Sequence, residues 1–187
     1  MTQAIEMSPA TTRALRIAGW GLAAGLLALP AVAMQFTDEV DWSGGDFLFA
    51  AIMFGIVGGL LELAARASVS LAYRVGAAVA IGTGFLTLWI TLAVGIVGAE
   101  DNPQNILYFG IVGMGICSAV AALGDPRALA RAMRATAVFQ GLVCLIHLID
   151  GIYPAVMIDG FFTMTWLTAG ALFARAVKER AEQATQS

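Results

Sequence analysis

Charge is scarce in this sequence. Only 12% of its residues are Asp, Glu, Lys or Arg, against roughly 25% in soluble domains. The net charge is −3, with no basic stripe and no run of like charges, so nucleic acid is not an expected partner. There is one histidine, His147. A haem held by two histidines, or a histidine-rich metal site, cannot come from a single copy of this chain. The two cysteines, Cys117 and Cys144, both sit inside apolar runs. They read as small apolar fillers rather than as a disulfide or a metal site. No Ser-His-Asp set, HExxH, P-loop or dinucleotide fingerprint is present. The apolar runs also lack the period-two alternation of a membrane barrel.

What the sequence has instead is apolar length. Its 187 residues are 59% hydrophobic, and the mean hydropathy is +0.83. A water-soluble fold of this size could not hide so much apolar surface, so the expected solvent is lipid. Six continuous runs are long enough to span a bilayer, at about 17–36, 47–65, 75–97, 106–123, 135–152 and 161–177. The expectation is an all-α membrane protein, a six-transmembrane-helix bundle forming a single integral membrane domain over 1–187. Short loops leave no room for a separate soluble domain.

The basic residues give an orientation. Arg13 and Arg16 precede the first run, and Arg66 and Arg74 lie between the second and third. Arg127, Arg131 and Arg134 lie between the fourth and fifth, and Arg175, Lys178 and Arg180 follow the sixth. In a six-helix chain these are all on one side, which the positive-inside rule makes cytoplasmic. The opposite loops carry Asp38, Glu39, Asp41, Asp46, Glu100, Asp101, Asp150 and Asp159 and no basic residue. Residues 1–33 also have a rival reading as a signal peptide ending in Ala31-Val32-Ala33. Cleavage there would leave five helices. Pro30 is equally at home as a kink near a helix end.

The three helical hairpins are candidates for a tandem repeat. Phe54-Gly55-Ile56-Val57-Gly58 in the second helix matches Phe109-Gly110-Ile111-Val112-Gly113 in the fourth, and Asp46 and Asp101 stand eight residues before each block. Chance similarity between glycine-rich apolar helices would look the same. Gly21-x-x-x-Gly25 and Gly55-x-x-x-Gly59 would allow close helix approach, within the bundle or to a partner.

Two stretches carry a resemblance. Met34-Gln35-Phe36-Thr37-Asp38-Glu39-Val40-Asp41-Trp42 leads into Asp46-Phe47, and later comes Gly95-Ile96-Val97-Gly98-Ala99-Glu100-Asp101-Asn102-Pro103. With the hydropathy profile, these resemble a group of small, uncharacterised multi-pass inner-membrane proteins of Gram-negative bacteria. The resemblance covers most of the chain. It implies a bacterial inner-membrane location and an intact first helix, and it implies no activity and no cofactor.

Four polar residues in the predicted helices are candidates for a proton or ion relay. Glu62 is the one acidic residue inside a predicted helix away from its outer end, and a charge in the bilayer is costly enough to suggest function. Its structural alternative is an interfacial pair with Arg66, one helical turn on. His147 and Asp150 share a helix face at i,i+3 and could relay protons. Their alternative is a hydrogen bond that ties down the helix end. Gln140 lies on nearly the same face, seven residues earlier, where an interhelical hydrogen bond is the plainer role.

Asp38, Glu39, Asp41, Asp46, Glu100 and Asp101, with Asn102, form an acidic set suited to a hard cation. The spacing matches no EF-hand loop. Helix capping accounts for many of these residues: Asp46 and Asp159 as N-caps of the second and sixth helices, and Asn102-Pro103 as an N-cap followed by Pro. Thr83, Thr87 and Thr91 recur every four residues and either line a polar path or bond back to their own helix. Trp42, Tyr108 and Tyr153 fit an aromatic belt.

These features lead first to a non-enzymatic accessory or scaffold subunit of a membrane assembly, or a binder of lipid or an apolar small molecule. Its partners would be membrane lipid and a membrane-protein companion or a second copy of the chain. The second expectation is a small proton- or cation-coupled transporter using Glu62, His147 and Asp150. The third is a membrane enzyme using outer-face carboxylates.

Overall fold

The structure is a computed structural model that describes residues 9–186. It is all-α, with six helices long and apolar enough to cross a membrane. They are α1 (Pro9–Ala33), α2 (Gly44–Ala67), α3 (Leu71–Ala93), α4 (Ile106–Ala121), α5 (Pro126–Ile149) and α6 (Tyr153–Gln186). A single 3₁₀ turn, Pro103–Asn105, leads into α4. The chain divides into two compact units, Met1–Leu63 and Ala64–Ser187.

In the first unit, α1 and α2 meet through Trp20 and Gly58. A Cβ on Gly58 would stand 2.7 Å from the Trp20 ring, so a side chain there would have to displace the indole. One turn earlier in α1 and one turn later in α2, as an antiparallel register requires, Arg16 pairs with Glu62. Ser43 starts α2 as its N-cap. The Asp46 backbone N–H donates to Ser43 Oγ at 3.3 Å, and Asp46 Oδ2 accepts the Ser43 N–H at 2.7 Å. Asp46 therefore closes a capping box from the third helical position and is not the N-cap. Cβ atoms at Gly21, Gly25, Gly55 and Gly59 would meet nothing within 4 Å.

The second unit is a ring of four helices in which α6 packs along α5 and α3, and α4 along α5 and α3. Close approaches occur where a side chain is missing. Gly76 of α3 sits against the α6 backbone near Ala169 and Phe173, and Gly170 of α6 sits against Ala130 and Arg134 of α5. Two apolar clusters fill the interior. One is built around Tyr73, Met133, Trp166 and Phe173, and the other around Tyr108, Ile111, Val143 and Phe162. Leu142, Leu145, Ile146 and Ile149 on the far side of α5 are exposed, as a lipid-facing surface requires.

Helix ends differ from the hydropathy reading in several places, and three of them shape the four-helix unit. α3 stops at Ala93, because Gly95 takes φ +74° and turns the chain. Ile96 and Val97 then lie in a loop, buried at 4% and 3%, where apolar content alone predicts a continued helix. α5 begins at Pro126, with Asp125 as its N-cap accepting from Ala128 N–H. Its arginines Arg127, Arg131 and Arg134 end the apolar run but not the helix. α6 begins at Tyr153, eight residues before the expected start, with Pro154 in its first turn. This last shift moves Asp159 from a loop end to the second turn of a helix.

The two repeat-like blocks have unlike surroundings. Ile111 is fully buried whereas Ile56 is 54% exposed.

Candidate functional site

Asp159 is the centre of a network inside the four-helix unit. It has no exposed surface, and neither do Tyr108, Gln140 and His147 around it. Its Oδ1 accepts the Tyr108 hydroxyl at 2.9 Å and Gln140 Nε2–H at 2.9 Å. Its Oδ2 meets His147 Nδ1 at 2.7 Å. Three helices contribute: α4 gives Tyr108, α5 gives Gln140 and His147, and α6 gives Asp159.

The hairpin between α5 and α6 sets this geometry. α5 ends in a Schellman turn. Ile152 N–H donates to His147 O at 2.9 Å, Gly151 N–H donates to Leu148 O at 3.3 Å, and Gly151 takes φ +73°. The chain reverses in three residues, and α6 runs back along α5. A helix rises about 1.5 Å per residue, so Gln140 and His147 stand about 10 Å apart along α5. Asp159 comes back between them, with one carboxylate oxygen for each. Thr163, one turn later, donates to Asp159 O at 2.8 Å.

The His147–Asp159 contact is compatible with two proton positions. An ionised Asp159 only accepts, so the imidazole must then donate through Nδ1–H. A protonated Asp159 can instead donate to Nδ1. Oδ1 keeps its two donors in either case, so the site can hold one proton at either end of one short bond. Three buried atoms have no hydrogen-bond partner among the described residues: His147 Nε2, Gln140 Oε1 and Trp166 Nε1. The Trp166 ring lies between Gly84 of α3 and Gly115 of α4.

The sequence-derived relay set is regrouped. Gln140 and His147 do belong to one site, joined through Asp159. His147 does not pair with Asp150: its Nδ1 is taken by Asp159, and its Nε2 has no partner among the described residues. Asp150 is the exposed C-cap of α5. Glu62 belongs to the first unit, where it pairs with Arg16. Thr83, Thr87 and Thr91 are buried, and each hydroxyl donates to the carbonyl four residues back, at 2.7, 2.8 and 2.7 Å. Among the described residues no group of three or more His, Cys, Asp or Glu is placed to hold a metal ion. Of the acidic set, Asp38, Glu39, Asp41 and Asp46 lie in the first unit and Glu100 and Asp101 in the second.

Sequence reasoning missed two participants and one support. In sequence Tyr108 fits an interfacial aromatic belt, and Asp159 fits an N-cap. The available signal was that Asp159 alone interrupts the apolar stretch Tyr153–Phe162, which opens with a helix-starting proline. Asn105 had no assigned role. It is 2% exposed and pins the loop after α3. Its Oδ1 accepts the N–H groups of Ile96 and Val97 at 3.1 and 2.9 Å. Its Nδ2 donates to Ala99 O at 2.8 Å. As expected, Asn102 caps the turn before α4 by accepting Gln104 N–H, with Pro103 behind it.

No protein-family profile, curated protein or solved structure matches the chain.

Proposed function

We propose that the chain is a small proton-coupled carrier of the bacterial inner membrane, with the Asp159–His147 pair as its proton-binding group. The observation behind this reading is a fully buried carboxylate bonded to an imidazole whose second nitrogen has no partner among the described residues. An ionisable group inside a membrane protein is expensive to bury and tends to mark a proton or ion pathway. A well-packed apolar cluster would generally hold the helices at least as well. Tyr108 and Gln140 stabilise charge on Oδ1, while the imidazole supplies a second group on which a proton can rest. The chain would lie with its basic helix ends in the cytoplasm, as the segregation of arginines favours.

Infrared difference spectroscopy tests the reading on protein reconstituted in lipid. The buffer is stepped across the range where imidazole ordinarily titrates, about pH 5 to 8. The wild type should show carboxyl and imidazole bands that Asp159→Asn removes. Dye-loaded vesicles should also show proton entry that the same variant abolishes. Identical spectra and identical proton entry from wild type and variant would end this assignment.

A second reading keeps the chain as an accessory subunit of a membrane assembly or a binder of apolar molecules. Its support is the open space beside Gly21, Gly25, Gly55 and Gly59, where a neighbouring helix could approach closely. Native mass spectrometry of gently extracted protein distinguishes the two. A stoichiometric companion favours the accessory role.

A further inference from the structure

A second polar feature lies at the opposite end of the four-helix unit, where the α2–α3 loop, the start of α5 and the last turns of α6 meet. They enclose a cleft of about 310 Å³ whose charged lining residues are Arg66, Glu179 and Arg180. A neighbouring cleft of about 290 Å³ shares Arg180 and adds Arg127 and Asp125. Arg180 therefore stands between the two.

The acidic groups here are already engaged. Glu179 Oε2 accepts the Ser70 hydroxyl at 2.7 Å, and its Oε1 accepts Arg175 Nε–H at 3.2 Å. Ser70 Oγ in turn accepts Tyr73 N–H as the N-cap of α3. Asp125 caps α5 through Ala128 N–H at 2.9 Å. The carboxylates thus fix the walls of the clefts, and each cleft has two guanidinium groups in its lining to one carboxylate, Arg66 and Arg180 to Glu179 in the larger and Arg127 and Arg180 to Asp125 in the smaller. Beside them the surface is apolar: Val69 is 84% exposed and lines the larger cleft, and Leu71 is 59% exposed.

Guanidinium forks match the geometry of phosphate oxygens. Basic pockets between membrane helices suit anionic headgroups, and the exposed Val69 and Leu71 suit acyl chains. We propose that these paired clefts bind the phosphate of an anionic phospholipid, with the headgroup on Arg66 and Arg180 and the chains along Val69 and Leu71. The site is independent of the Asp159 network.

The test is native mass spectrometry of the full chain in detergent, titrated with phosphatidylglycerol or with phosphatidylcholine. Arg66→Gln/Arg180→Gln should bind phosphatidylglycerol roughly thirtyfold more weakly than wild type. Arg131→Gln/Lys178→Gln removes the same charge from the same end but outside both clefts, and it should keep most of the affinity. Circular dichroism establishes that both variants fold. If Arg66→Gln/Arg180→Gln does not fold, Arg180→Gln alone is used, with a proportionately smaller loss. Equal losses in the cleft and control variants would overturn the site, leaving only a diffuse basic surface. Displacement of the lipid by inorganic phosphate at equal concentration would overturn the lipid as the source of the phosphate. Binding of phosphatidylcholine as tightly as phosphatidylglycerol would overturn the role of charge.

Discussion

His147 and Asp159 come from different helices, and their side chains meet at 2.7 Å with neither exposed. Removing the Asp159 carboxyl leaves Tyr108 Oη, Gln140 Nε2 and His147 Nδ1 buried without their partner, at about 1–3 kcal/mol for each group stranded. Asp159→Ala should therefore be strongly destabilising. Asp159→Asn should cost much less, because its side-chain oxygen still accepts from Tyr108 and Gln140. Unfolding of the purified protein in mixed micelles measures both. If the alanine and asparagine variants are equally stable, the network does not hold the helices together.

Tyr108 and Gln140 share one acceptor, Oδ1 of Asp159. Each alone is worth about 1 kcal/mol, the usual size of an interhelical side-chain bond. Tyr108→Phe or Gln140→Leu leaves one donor on that oxygen, and the double variant leaves none. The double variant should lose more than the two single losses added together. Simple additivity in the same unfolding assay would mean the two donors act separately.

Asn105 supplies the acceptor for two buried N–H groups, those of Ile96 and Val97. Without it both backbone donors lose the acceptor they have, at about 1–3 kcal/mol for each one stranded. In Asn105→Ala, amide hydrogen exchange at Ile96 and Val97 should rise sharply, while exchange in the middle of α5 stays slow. Unchanged protection in the loop would show that Asn105 is not what holds it.

Much of this protein can be read from one dimension. Each helix supplies its own backbone hydrogen bonds, and lipid demands a long apolar run for each crossing. The six spans, and the gathering of arginines at one set of helix ends, therefore need no knowledge of packing. Local capping is legible for the same reason. Asn102-Pro103 acts within its own few residues, and the threonines of α3 bond to their own helix.

The site was not legible, because membrane helices give no contrast between inside and outside. In water an apolar stripe marks the buried face. Here Leu142 and Ile146 are apolar because they face lipid, and Val143 is apolar because it faces the core. The pattern along α5 thus could not say where His147 points. Its nearest acid in sequence is Asp150, but the Schellman turn carries that residue to the exposed end of the helix. The return of α6 brings Asp159 back instead. Sequence determined how many helices there are and which ends are basic, because those follow from local hydrogen bonding and solvation. Only the packing of α4, α5 and α6 decided which polar groups meet, because a hydrogen bond depends on two side chains arriving within about 3 Å of each other.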